Sequence, residues 1–323
     1  MSLKICVFGV GAIGGVLAAR LGRTDAETCC VARGETRDAI LQRGLRLVSD
    51  DGEITVPIAC SDDPHELGPQ DFVLLTLKAQ SIPQIASSLQ PLLHDTTTIV
   101  TLHNGLPWWF FQSQPGPYQD LCLQSVDPAG GLAATIDPQR VIGGVVYPAA
   151  SVIAPGLVRH VKGDRLALGE PNGALTSRLQ ALVKIMSEAG LAAVAVEDIR
   201  TEICTKWVSN AALNPISVLS GATLVDMIDS PGVHRILSDM IDEVALICDK
   251  LGCPIPLSAS MLLAGAHKMG RHKSSMLQDF EQGRPLETGP LLDTVQELSA
   301  LLDCPTPTFD MVFHLLRLKL AHR

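Results

Sequence analysis

Basic residues are in deficit: 25 Lys and Arg against 34 Asp and Glu leave a formal net charge of −9. A nucleic-acid-binding surface needs clustered Lys and Arg facing phosphates, so this balance argues against that class of partner. Long hydrophobic runs are also lacking. No apolar stretch reaches the roughly 20 residues of a membrane span, because Pro, Gly or charge interrupts each candidate. The nine cysteines contain no CxxC pair. An odd number scattered through apolar segments reads as reduced, buried thiols of a cytoplasmic protein, and Cys29 and Cys30, inside a strand-like run, make an unsuitable metal site. The N-terminus has no basic stretch followed by an apolar one and a small-residue cleavage site; it runs directly into a glycine motif. There is no internal repeat and no low-complexity tract. What remains is a chain of 323 residues, 46% hydrophobic and 18% charged, able to bury a substantial core. At roughly 150 residues per domain, it predicts two domains.

The hydrophobic pattern changes once. Strand-like runs at Leu3 to Phe8, Thr28 to Ala32, Asp71 to Leu77 and Thr97 to Leu102 alternate with helical stretches at Ala12 to Arg23, Glu35 to Arg43 and Ser81 to Leu92. This alternation predicts a parallel, doubly wound α/β sheet. Val48 to Gly52 reads as a turn leading into a hairpin strand, and Val141 to Gly169 as antiparallel strands at the far edge of the sheet. From Asp198 onward strand signals give way to helical spacing punctuated by Pro and Gly. The expected organisation is a Rossmann-type α/β domain over residues 1–197 followed by an all-α domain over residues 198–323.

Three features carry chemistry. Gly9-Val-Gly11-Ala12-Ile-Gly14 follows the strand-like Ile5 to Phe8 and opens a helix. In that context the first glycine permits a tight turn, the second lets backbone approach a pyrophosphate, and the third lets helix pack on strand. The second strand ends Cys30-Val-Ala-Arg33, with no acid to bind a ribose 2′-hydroxyl. Arg33 can instead pair with a 2′-phosphate, which favours NADP, or else be an ordinary surface arginine. Lys78 and Asn104 follow the next two strands, where ligands of open α/β sheets sit. In the second half, Lys206, Asn210 and Asn214 recur every four residues in an apolar stretch, lining one helical face. A polar stripe there needs partners, either a ligand or a buried network with Glu202 one turn before Lys206.

Taken together these segments resemble the ketopantoate reductase family over nearly the whole length. The likeness lies in the glycine loop, Arg33, Thr76-Leu-Lys78-Ala79, His103-Asn104-Gly105, the helix from Arg200 to Pro215, Ser274 to Asp279 (Ser-Ser-Met-Leu-Gln-Asp) and Glu287. The resemblance implies NADPH-dependent reduction of a 2-keto acid bound between the domains, and a homodimer is compatible with the apolar helical domain. Lys206 would be the general acid and Glu287 would stabilise the closed catalytic site. Asn104, Asn210, Asn214 and Ser275 would hold substrate. Gly9, Gly11, Ala12, Gly14, Arg33, Lys78, Asn104 and Ala149 would hold the cofactor. Departures from the family pattern occur at Leu224, where an Asn is usual, at His272, at Thr288 to Asp293, and in the aromatic run Trp108 to Phe111. They keep open a relative acting on a bulkier or more apolar keto acid. A non-catalytic NADP(H)-sensing protein is the alternative from another class, although a sensor has no need of the Lys206 stripe.

Overall fold

A computed structural model describes residues 2–113 and 116–322. The chain divides into two compact units: Met1–His103 with Trp109–Asp120 and Gly130–Ile199, and Asn104–Trp108 with Leu121–Ala129 and Arg200–Arg323.

The first unit opens with strand β1 (Lys4–Phe8), helix α1 (Ala12–Leu21), β2 (Glu27–Val31), α2 (Gly34–Arg43), β3 (Leu45–Ser49), β4 (Gly52–Val56), β5 (Ala59–Ser61) and β6 (Phe72–Leu75). A single α-turn, α3 (Ile82–Ile85), then leads to β7 (Thr98–Thr101), the short α4 (Gly131–Thr135), β8 (Val141–Val146), β9 (Ala149–Ala154), β10 (Leu157–Lys162), β11 (Arg165–Gly169), α5 (Ser177–Glu188) and β12 (Ala192–Ala195). Eight strands form one sheet in the order β12-β11-β8-β7-β6-β1-β2-β5. Ile5, Cys6, Val7, Val73, Leu74, Ile99, Val100 and Ile142 are wholly buried. Consecutive residues can be buried in this way only when both faces of the sheet are covered, which explains the unbroken apolar runs of the sequence.

Two expectations need correction. Val141 to Gly169 is not a purely antiparallel edge. β8 continues the parallel sheet beside β7, and only β11 runs antiparallel to β8. β9 and β10 leave to form a separate four-stranded sheet with β3 and β4, in the order β4-β3-β10-β9. Val158 of β10 lies against Gly15 of α1, so this second sheet covers the helix that follows the glycine loop. The expected helix from Ser81 to Leu92 is α3 flanked by 3-10 turns, with Pro83 and Pro91 inside the stretch. Pro83 is tolerated in the first turn of α3, whereas Pro91, further along, lacks the N–H that would continue an α-helix.

The second unit is helical: α6 (Ile199–Ser220), α7 (Leu224–Asp229), α8 (Pro231–Lys250), α9 (Ala259–His267), α10 (Ser275–Glu281), α11 (Thr294–Leu302) and α12 (Pro307–Ala321). α8 buries Leu237, Met240, Ile241, Val244, Ile247 and Cys248, the one-sided stripe of an amphipathic core helix. Its Glu243 accepts from the backbone N–H groups of Thr308 and Phe309 at 2.9 and 2.8 Å, placing a carboxylate on the N-terminal turn of α12. Glu297 of α11 accepts from the N–H groups of Gln124 and Ser125 at 2.7 and 3.0 Å, tying the 121–129 segment to the helical unit. No helix among the described residues is long and apolar enough to cross a membrane.

Candidate active site

The glycine loop lies between β1 and α1, at the edge where the parallel strands end. Gly9 has φ +103°, a conformation that side chains of L-residues rarely adopt. A Cβ on Gly14 would lie 1.9 Å from the Gly9 carbonyl oxygen, so the helix can approach the turn only without one. Gly11 is different: a Cβ there meets nothing within 4 Å, and the residue is exposed. Its backbone faces open space at the start of α1, where N–H groups and the helix dipole favour an anion. The loop therefore fits a pyrophosphate.

A residue that the motif does not specify holds this loop in place. Thr76, just beyond β6, has its hydroxyl 2.6 Å from the Gly9 carbonyl oxygen, to which it donates. The sequence carries that signal only as the threonine of the Thr76-Leu-Lys-Ala79 segment. Arg33 is exposed two residues beyond β2, where it is the N-cap residue of α2. Lys78 is half-buried three residues beyond β6, and Ala149 opens β9 directly past β8. Gly9, Gly11, Ala12, Gly14, Arg33, Lys78 and Ala149 thus all follow the C-terminal ends of strands β1, β2, β6 and β8.

The second constellation lies within the helical unit. Lys206, Asn210 and Asn214 follow one face of α6, flanked by the wholly or nearly buried Ile203, Trp207, Ala211 and Val218. The Trp207 indole N–H donates to the Leu291 carbonyl at 3.0 Å, which fixes α6 against the 289–293 turn. That turn is a single π-turn in which the Pro290 carbonyl accepts from the Thr294 hydroxyl at 3.1 Å and from the Leu106 N–H at 3.0 Å. Gly105, at φ +79°, passes so close to Pro290 that a Cβ would lie 2.2 Å from its carbonyl oxygen. This contact carries the preceding residue to the catalytic candidates: the Asn104 amide donates to the Glu287 carboxylate at 3.3 Å. The departure at Thr288 to Asp293 has a structural role here, since Gly289 and Pro290 form the turn against which the Asn104 loop closes.

Glu287 is buried, and its carboxylate favours the charged form of Lys206. Desolvation is the larger effect on Lys206. Although the residue retains some accessible surface, its ammonium is crowded by protein, and its pKa falls from 10.5 to about 8. An amine with that pKa exchanges a proton readily near neutrality. Asn214 is 3% exposed, and its Nδ2 has no hydrogen-bond partner among the described residues. A buried amide donor left unsatisfied costs about 1–3 kcal/mol, which makes it a candidate for binding a ligand. Asn210 is half-buried one turn earlier.

Of the serine pair, Ser275 is exposed at the first position of α10. Ser274, which the sequence reading passed over, is the buried one. A chain of hydrogen bonds accounts for it: the Leu277 N–H donates to Ser274 Oγ at 3.1 Å, Ser274 Oγ bonds with Ser217 Oγ, and Ser217 donates to the Asn214 carbonyl at 2.7 Å. Ser274 caps α10 and ties it to α6, presenting its neighbour Ser275. The aromatic run is core. Trp109 and Phe110 are wholly buried, the Trp109 indole donates to the Thr101 hydroxyl at 3.0 Å, and its ring lies over Gly143. Leu224 is buried at the start of α7, and its N–H donates to the His272 carbonyl at 3.0 Å.

A parallel sheet whose first turn is shaped for a pyrophosphate, followed by a helical unit bearing a desolvated lysine, defines a Rossmann-type oxidoreductase. The family models agree with this assignment. "Ketopantoate reductase PanE/ApbA" matches residues 5–173, and "Ketopantoate reductase PanE/ApbA C terminal" matches residues 198–320. The chain belongs to the ketopantoate reductase PanE/ApbA family. It is 46% identical over 318 residues to the 2-dehydropantoate 2-reductase of Mesorhizobium japonicum, covering 98% of this chain and 97% of that one. A crystal structure of a candidate ketopantoate reductase from Ralstonia solanacearum superposes with a TM-score of 0.94 at 37% identity, covering 100% of this chain and 99% of that chain. D-mandelate dehydrogenase, solved with NADH and anilino(oxo)acetate, shares the fold at a TM-score of 0.84 and 18% identity.

Proposed function

We propose that this chain is an NADPH-dependent 2-keto-acid reductase that converts 2-dehydropantoate (ketopantoate) to pantoate, in the synthesis of pantothenate. The observation that carries the reading is the α6 stripe, with Lys206 desolvated beside the buried Glu287 and the buried Asn214 holding an Nδ2 that has no partner among the described residues. Residues 1–197 act as the NADP-binding domain and residues 198–323 as the helical substrate and catalytic domain. Gly9, Gly11, Ala12 and Gly14 receive the pyrophosphate, Arg33 the 2′-phosphate, and Lys78, Asn104 and Ala149 the remainder of the cofactor. When bound, the reduced nicotinamide supplies a hydride.

Lys206 Nζ donates a proton to the ketone oxygen as that oxygen gains charge, and while protonated it stabilises the developing alkoxide. Glu287 acts through Lys206, favouring its ammonium form, and holds the Asn104 amide. Asn210, Asn214 and Ser275 orient the carboxylate and hydroxyl of the substrate, with Asn104 beside them. The alternative of a bulkier, apolar keto acid loses one of its supports, because Trp108, Trp109 and Phe110 spend their surface inside the core. On the same reading the protein works in the cytoplasm without nucleic-acid or membrane partners, and a homodimer is compatible with its apolar helical domain. NADPH oxidation followed by absorbance with ketopantoate and a panel of 2-keto acids tests the proposal. Turnover of ketopantoate above the rest supports it, and absence of turnover with every 2-keto acid while NADPH still binds would leave the sensor reading.

A further inference from the structure

We propose that Arg37 is a second recognition group for the cofactor 2′-phosphate, transferred onto it from the carboxylate of Asp62. The inference rests on the reading of NADPH as cofactor and concerns how this chain tells it from NADH.

β2 and β5 run parallel, with Val31 paired to Ser61, so the chain leaves both strands at the same edge of the sheet. Arg33 stands just past β2 and Asp62 just past β5. Arg37 follows Arg33 by four residues, one helical turn further along α2 and on the same side. Its Nη1 lies 2.6 Å from Asp62 Oδ2, while its Nε and Nη2 donate to Asp38 Oδ1 at 3.0 and 2.8 Å. Arg37, and less strongly Arg33, hold the Asp62 carboxyl below its usual range. Arg37 therefore pairs with a carboxylate at the strand edge that Arg33 already marks for the ribose, and Arg33 stands near enough to favour that carboxylate's charge.

An acid in this position has two opposite uses. Left to itself it accepts from a ribose 2′-hydroxyl and favours NADH, and it repels a 2′-phosphate. Engaged by Arg37, its Oδ2 is taken up and part of its charge is offset, Arg37 being shared with Asp38. The Arg37 and Asp62 side chains are 32% and 44% exposed, so the pair is a surface ion pair of the kind that contributes little and opens easily. A phosphomonoester dianion offers several oxygens to a planar guanidinium and forms stronger, bidentate hydrogen bonds than a hydroxyl can. The exchange from Asp62 to phosphate is therefore favourable with NADPH and has no counterpart with NADH.

Calorimetric titration of the full chain with NADPH, NADH, 2′-AMP and 5′-AMP reads this directly, with thermal melts to confirm folding. Arg37→Gln is expected to weaken NADPH and 2′-AMP by about tenfold, with NADH and 5′-AMP changed by less than about twofold. Asp62→Asn is expected to tighten 2′-AMP by removing the competing carboxylate. Arg37→Lys, which keeps the charge and loses the fork, should fall between wild type and Arg37→Gln. Equal binding of NADPH and NADH by the unmodified chain would overturn the cofactor reading itself. A clear NADPH preference that survives Arg37→Gln leaves that reading intact and overturns this inference, as does unchanged or weaker 2′-AMP binding in Asp62→Asn.

Discussion

Replacing Lys206 by Met removes the ammonium while keeping most of the side-chain volume, and the structure specifies three consequences. With a pKa of about 8, the amine is about 90% protonated at pH 7 and about 10% at pH 9, so reduction by the wild type should decline above pH 8 along a single ionisation. Turnover of Lys206→Met should fall by about 10²–10⁴, the range for loss of a positioned general acid, and lose that pH limb. Its NADPH affinity should stay close to that of the wild type. Stability should change much less, because two effects oppose each other. The depression from 10.5 to about 8 corresponds to roughly 3 kcal/mol of added cost for charging Lys206 in the folded chain. Between those two pH values the unfolded chain holds a proton that the folded chain does not, so this contribution makes stability rise with pH through that window; below about pH 8 the full cost is present. The variant escapes this cost but leaves the buried Glu287 without its cation; the two effects offset, so its melting temperature at pH 7 should stay close to that of the wild type. Steady-state kinetics across pH and thermal melts at pH 7 check both sides. A folded variant with wild-type turnover would refute the assignment of the proton donor, and a variant that does not fold would show Lys206 to be a structural partner.

Glu287→Gln removes the charge that favours the ammonium, so the pH limb of the wild type should move to lower pH. Arg33→Ala should erase most of the preference for NADPH over NADH, by roughly 1.5–3 kcal/mol where charged hydrogen bonds to the phosphate are lost. Gly14→Ala places a methyl against the Gly9 carbonyl, and calorimetry should show cofactor binding lost with the helical unit still folded. Leu224→Asn buries an amide at the start of α7 and should lower stability by about 1–3 kcal/mol in denaturant titrations, with a gain in ketopantoate efficiency only where that amide reaches substrate.

Local chemistry was enough to determine much of this protein. Gly9 and Gly14 encode a turn that only residues without side chains can make, and the spacing of Lys206, Asn210 and Asn214 encodes a shared helical face. Both follow from backbone geometry within a few residues, so both are legible in the linear chain, as are the central strands β1, β2, β6 and β7. Partners far apart in sequence were decided by tertiary structure. Glu287 lies beside Asn104, 183 residues away, because Gly105 meets the Pro290 carbonyl, and no periodicity announces that contact. The separate sheet of β3, β4, β9 and β10 was hidden because its strands carry the same alternation whichever sheet they join. Ser274 and Ser275 look equivalent as letters, and only the helix cap and the Ser217 hydroxyl distinguish the buried one from the exposed one. Thr76 was a motif letter until the fold set its hydroxyl against Gly9. The apolar run at Trp108 to Phe111 fits substrate or core equally well on composition, because large aromatic rings serve both, and burial assigned Trp109 and Phe110 to the core.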